Sequence, residues 1–76
     1  MNNERRKQLK YVIEDIENAM SQLENIRDEE QSAMDNLPEN LQESDKASVM
    51  EDNIQALDDA INALDEVIFA LDNDIN

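Results

Sequence analysis

Residues 51–76 read EDNIQAL, DDAINAL, DEVIFAL, DNDIN, one heptad written three and a half times. Ile54, Ile61, Ile68 and Ile75 recur seven apart, and so do Met50, Leu57, Leu64 and Leu71. With Ile at heptad position a and Leu at d, these residues form the apolar seam of a helix that packs along its whole length. The acids keep the same period, with Glu51, Asp58, Asp65 and Asp72 at e and Asp52, Asp59 and Glu66 at f. No basic residue occurs from Glu51 onward. Position c carries Ala56, Ala63 and Ala70, and g carries Ala60 and Val67. Positions c, g, d and a therefore make one apolar arc roughly 150–200° wide, broader than the strip a single partner helix needs. The geometry predicts at least two neighbours for this helix, of which the chain supplies one.

The rest of the chain supplies that one. Leu9, Ile16 and Leu23 fall seven apart, Val12, Ala19, Ile26 and Ala33 form a second column, and Ile13, Met20 and Met34 a third. This is the broad stripe of a bundle helix, predicted over residues 4–36. Arg27 and Glu30 interrupt the stripe, and their spacing of three lets them pair with each other. Pro38 stops the helix and biases Leu37 out of the helical region. Asn36 and Glu39 then bracket the start of a short helical turn, with Leu37 and Leu41 capping the end of the hairpin. Ser44 is the preferred N-cap of the second helix, with Ser48 and Glu51 as a competing capping box.

A turn over residues 37–44 thus joins helices over about 4–36 and 45–75, in a single domain. Matched lengths and a short connection predict an all-α antiparallel two-helix hairpin, coiled-coil-like, that dimerises into a four-helix bundle. The dimer would use the c, g and a side of the second helix. Core and dimer positions are Ile54, Leu57, Ile61, Leu64, Ile68 and Leu71. In this pairing Arg5, Arg6, Lys7 and Lys10 lie beside Asp65, Glu66, Asp72 and Asp74, and each set offsets the other's conflict with its helix dipole.

Composition excludes most chemistry. The 76 residues contain no Gly, His or Cys and one Pro, and the formal net charge is −14. Without Cys there is no thiol or disulfide chemistry. There is no His, the Ser residues fall at cap or surface positions, and the Glu-x-x-His pairs of di-iron bundles are missing their His. Asp72, Asp74 and Asn76 imitate the start of an EF-hand loop whose Gly and final Glu are missing. The expectation is a non-enzyme with no cofactor and no metal. No run approaches the ~20 apolar residues of a membrane span, and the N-terminal MNNERRKQLK lacks the apolar centre of a signal peptide, so a cytoplasmic protein is expected, without membrane contact. Such an acidic surface disfavours direct nucleic-acid binding and suits a basic partner.

Two aromatics stand apart from the core pattern. Phe69 sits at b, between the acid columns, and Tyr11 lies off the stripe of the first helix, level with Phe69 and Ala70 in the expected register. Both can close a bundle end, or serve as aromatic anchors in an acidic surface. The interaction residues expected on the second helix are therefore Glu51, Asp52, Asp58, Asp59, Asp65, Glu66 and Phe69, with Tyr11 from the first.

The central segments Arg27-Asp28-Glu29-Glu30-Gln31 and Asp35-Asn36-Leu37-Pro38-Glu39-Asn40-Leu41-Gln42-Glu43-Ser44 resemble a motif of small acidic helical proteins of bacteriophages and bacterial mobile elements. Those proteins carry Gly shortly after the Ser44 position, where this chain has Lys46-Ala47-Ser48. The group has no general activity attached to it, so the resemblance implies a setting. Two functions follow as expectations. One is a self-associating protein–protein interaction module. The alternative is a phage-type inhibitor whose acidic face blocks a basic nucleic-acid-binding or defence protein, as a low-resolution DNA mimic.

The charge excess makes a direct prediction. Carboxylates crowded on a rod repel, and salt screens them. The helical melting temperature, followed by circular dichroism, should rise between low and moderate salt. A fall would mean that attraction between the basic N-terminus and the acidic helix outweighs the repulsion.

Overall fold

The computed structural model describes residues 1–75. The chain is 88% helical, with two helices packed against each other and no strand among the described residues. Helix α1 spans Asn3–Asp35 and α2 spans Asp45–Phe69. A 3-10 turn, Glu39–Leu41, lies between them, and a π-helical turn, Ala70–Asp74, continues α2.

Both helix starts are held by side-chain caps. Asn2 Oδ1 accepts from the Arg5 amide at 2.8 Å. Ser44 Oγ accepts from the Ala47 amide at 3.4 Å and also donates to the Leu41 carbonyl, so one hydroxyl ties α2 to the turn. Ser44 rather than Ser48 is the cap. The chain has no glycine, and α1 does not end on the left-handed residue that many helices use: Asn36, a residue type that can adopt it, has φ −95°, and no described residue has positive φ. It tightens instead: the Asn36 amide donates to Ser32 O at 3.1 Å and the Leu37 amide to Met34 O at 3.2 Å. Pro38 follows, extended at φ −54° and ψ 146°. Asn36, expected to open the short turn, is the C-cap of α1, and the turn begins at Pro38 without a side-chain cap.

Cross-helix bonds fix direction and register. Arg27 bonds Asp58 at 2.9 Å, and Asn53 bonds Glu30 at 3.1 Å. Stepping forward on α1 is stepping backward on α2, so the pair is antiparallel. Leu9 and Ile13 accordingly share a shallow depression with Leu71 and Ile75.

The seam of α2 consists of Ala47, Met50, Ile54, Leu57, Ile61, Leu64, Ile68 and Leu71, all buried or half-buried. On α1 it runs through Leu9, Ile13, Ile16, Met20, Leu23, Arg27, Glu30 and Met34. Both sets alternate steps of three and four, the 3.5-residue period of supercoiled helices. In this lettering a is Ile13, Met20, Arg27 and Met34, and d is Leu9, Ile16, Leu23 and Glu30. The column Val12, Ala19, Ile26 and Ala33, counted in the sequence stripe, is left exposed at g.

The result is a slab one helix layer thick, measuring 59 × 16 × 12 Å. Its radius of gyration, 17.4 Å, is well above the ~11 Å of a compact chain of this length. Among the described residues only Ala47, Met50 and Ile61 are buried, and each keeps 7% to 9% of its surface in water.

Candidate functional site

Turning one helix of a pair end over end keeps e beside e and g beside g. The antiparallel seam therefore separates two sides of the slab, which differ in chemistry.

The e side is acidic. Glu51, Asp58, Asp65 and Asp72 of α2 run along it, and Asp52, Asp59 and Glu66 lie further out. α1 adds Glu17 and Glu24, which line one depression together with Asp65, Met20 and Ile68. The sequence reading confined the acids to α2 and missed Glu17 and Glu24. Their e positions become visible only once the seam of α1 is assigned. Asp58 is not a free member of the row: it is half-buried and bound to Arg27. Asp59 accepts from Gln55 Nε2 at 2.9 Å. Glu51, Asp52, Asp59, Asp65 and Glu66 are solvent-exposed.

Arg27 occupies an a position, yet its guanidinium reaches out of the seam to Asp58 at 2.9 Å and to its neighbour Asp28 at 3.1 Å. The expected pairing of Arg27 with Glu30 does not form. A carboxylate across the seam and one next in sequence capture Arg27, while Glu30 takes the Asn53 amide on the opposite side. The hydrogen bond to Asp58, and then that to Asp28, raise the Arg27 pKa above its ordinary value, against a smaller lowering by desolvation. A base whose folded pKa is raised stabilises fully below its unfolded pKa and loses that contribution only as pH climbs through the folded one. Arg27 therefore adds no slope to stability across the neutral range.

At the end where the termini meet, Arg6 and Lys10 share a depression with Asp72. Among the described residues, however, no ion pair within 4.0 Å joins Arg5, Arg6, Lys7 or Lys10 to Asp65, Glu66, Asp72 or Asp74. Tyr11 and Phe69 are both exposed, at 61% and 64%. They are not level: with Arg27 opposite Asp58 and Glu30 opposite Asn53, Tyr11 falls opposite Asn73, one turn beyond Phe69.

The g side is apolar. Val12, Ala19, Ile26 and Ala33 of α1 lie along it with Ala60 and Val67 of α2, and Val49, Ala56 and Ala63 extend it on the outer flank. Val12, Ile26, Val49 and Val67 keep 43% to 58% of their surface in water. Lys46 and Asn53, the latter held to Glu30, interrupt it near the turn, and Arg5 and Asp74 hold its g positions at the free ends.

Among the described residues, no group of three or more Asp or Glu is arranged to hold a metal ion. No described helix is long and apolar enough to cross a membrane. Comparison with known protein families, with curated proteins and with solved structures finds no match.

The polar cross-links predict a ranking. Half-exposed ion pairs add little to stability, whereas truncating a packed leucine costs about 2 kcal/mol or more. In urea unfolding, Asp58→Asn should lower the midpoint much less than Leu57→Ala. An equal or larger loss at Asp58 would mean that the ion pair, not the apolar seam, holds the helices together.

Proposed function

We propose that this chain is a small acidic protein–protein interaction module, without catalytic activity, that self-associates through its g side into a four-helix bundle. The observation that carries this is the uncovered apolar side running the length of a one-layer fold. A compact monomer of 8.8 kDa exposes about 4,800 Å². The hairpin exposes 5803 Å². The surplus of about 1,000 Å² is of the order that each partner buries in a standard protein interface, ~800 Å². A partner must offer an equally long, straight apolar strip, and a second copy of the chain has one. Helices at this size seldom hold together on so thin a core, which favours a second layer.

Sedimentation equilibrium at micromolar concentration should give twice the 8.8 kDa chain mass. Ile26→Asp and Val67→Asp alter exposed positions and would be tolerated in a lone hairpin. In the bundle each should weaken association at least tenfold, about 1.4 kcal/mol. Ile61→Asp strikes the seam itself and should unfold the hairpin. A wild-type monomer that melts cooperatively would overturn the reading.

A second reading rests on the opposite side. Acids at Glu51, Asp52, Asp59, Asp65 and Glu66 repeat every ~10.5 Å along a rigid rod and, Asp59's bond to Gln55 aside, form no side-chain hydrogen bond among the described residues. Such a row steers a basic protein at long range. The resemblance to phage and mobile-element proteins supports an inhibitor of a host nucleic-acid enzyme. Because the acids lie away from the g side, the two readings are compatible. A host-lysate pull-down should recover a basic nucleic-acid-binding protein, and neutralising Asp59, Asp65 and Glu66 to Asn or Gln should abolish its capture. Capture lost only with Phe69→Ala would move the site to the aromatic ring.

A further inference from the structure

Resting on the self-association reading above, we propose that the two hairpins pack head to tail, the free ends of one copy beside the turn of the other. Two arrangements bury the g side symmetrically. A two-fold axis along the rods sets turn beside turn. One across the rods, in the plane of the contact, sets the turn of each copy beside the partner's free ends. Either way, neighbouring helices run antiparallel, so the seam and the apolar side do not distinguish the two.

Charge distinguishes them. Cut the hairpin midway, at Gln22 on α1 and Asn62 on α2. The half toward the free ends, residues 1–21 and 63–75, holds four bases and eight acids, a formal charge of −4. The half toward the turn, residues 22–62, holds two bases and twelve acids, a formal charge of −10. Like-ended packing confronts −10 with −10 at one end of the bundle. Head-to-tail packing confronts −4 with −10 at both ends. Coulomb energy follows the product of the facing charges, so end-to-end repulsion is about a third smaller head to tail. Over a rod 59 Å long, charges at opposite ends are screened from each other by ordinary salt, and each end is decided locally.

The local groups agree. Arg6, Lys7 and Lys10 cluster on the first turns of α1 and form no ion pair within their own chain among the described residues. Head to tail, this basic end, with Arg5 at g on the contact side and Lys7 and Lys10 at b and e away from it, lies alongside the partner's turn, where Glu39 and Glu43 are exposed. Like-ended packing would instead stack the Glu39 and Glu43 clusters of two copies, and it sets the bases beside the end of the partner's second helix. Electrostatics thus sets the orientation of a contact whose affinity is apolar.

The absence of cysteine makes the test clean, because one introduced thiol takes one label. Asn40→Cys, at the exposed tip of the turn, is labelled with a nitroxide in the full chain, and the dipolar coupling between labels is read by pulsed electron paramagnetic resonance. Head-to-tail packing predicts a separation close to the 59 Å length of the rod. A separation under about 25 Å, from tips one helix spacing apart plus their linkers, would overturn the orientation and leave the dimer standing. No intermolecular coupling at micromolar concentration would overturn the self-association on which it rests.

Discussion

The structure depends on one contact, the meeting of two apolar seams of equal period in opposite directions. Each helix repeats steps of three and four, so the same two columns face the partner along the full length, from Leu9 and Ile13 against Leu71 to Met34 beside Ala47. A 3.5-residue period keeps those columns in contact only if the helices wind slowly about each other. Everything else is set by that register: Arg27 arrives at Asp58, Glu30 at Asn53, and the columns that do not fit the seam are sorted to two unlike sides. A contact one layer thick leaves nearly every residue in water on at least one side, which is why no described side chain is fully buried.

The second seam was legible because its sequence has so little ambiguity. Isoleucine and leucine take a and d through three and a half repeats, and most of the residues around them are alanine, amide or acid. The first helix offered three apolar columns, and amphipathicity alone does not say which two face inward. The structure chose the pair containing Leu9, Ile13, Ile16, Met20 and Leu23, whose long side chains fill the space between helices, and accepted Arg27 and Glu30 with it. The excluded column alternates Val12 and Ile26 with Ala19 and Ala33, too thin to fill a seam of this width. Choosing it would have buried less apolar surface than leaving two polar residues at the seam, because Arg27 and Glu30 turn their charges outward to partners. That choice also explains why the acidic side was only half seen. Glu17 and Glu24 look like ordinary surface acids until the seam places them across from Asp65.

The turn shows how a chain without glycine reverses direction. Left-handed residues are replaced by a tightened helix end, an extended proline and a single 3-10 turn, with Leu41 N bonded to Pro38 O at 2.8 Å. Ser44 then closes the segment from both sides, accepting from Ala47 and donating to Leu41. That chemistry lowers the entropy lost on folding, because proline and non-glycine residues leave the turn fewer alternatives in the unfolded state than glycine would. At the other end of α2 no comparable closure is found among the described residues. The last turn has acids and no base, against the helix dipole, and it widens into a π turn where Asn73 reaches back to the Phe69 carbonyl.

The unlike sides carry a consequence for assembly. A hairpin apolar on both sides would stack without limit, each layer exposing a fresh face to the next. Here the apolar columns lie on the g side alone, and the proposed two-fold contact consumes that side on both copies, which closes the assembly at two. The outward e side of each copy then carries Glu17, Glu24, Glu51 and Asp65, and it repels a third hairpin instead of recruiting it. On this reading the large negative charge has a structural use apart from any partner. It does little for the seam, and its repulsion weakens the fold, but it confines an adhesive surface to a single partner. An acidic side kept for that purpose would also remain accessible in the bundle, so closure of the assembly and capture of a basic protein would draw on the same residues without competing for the same surface.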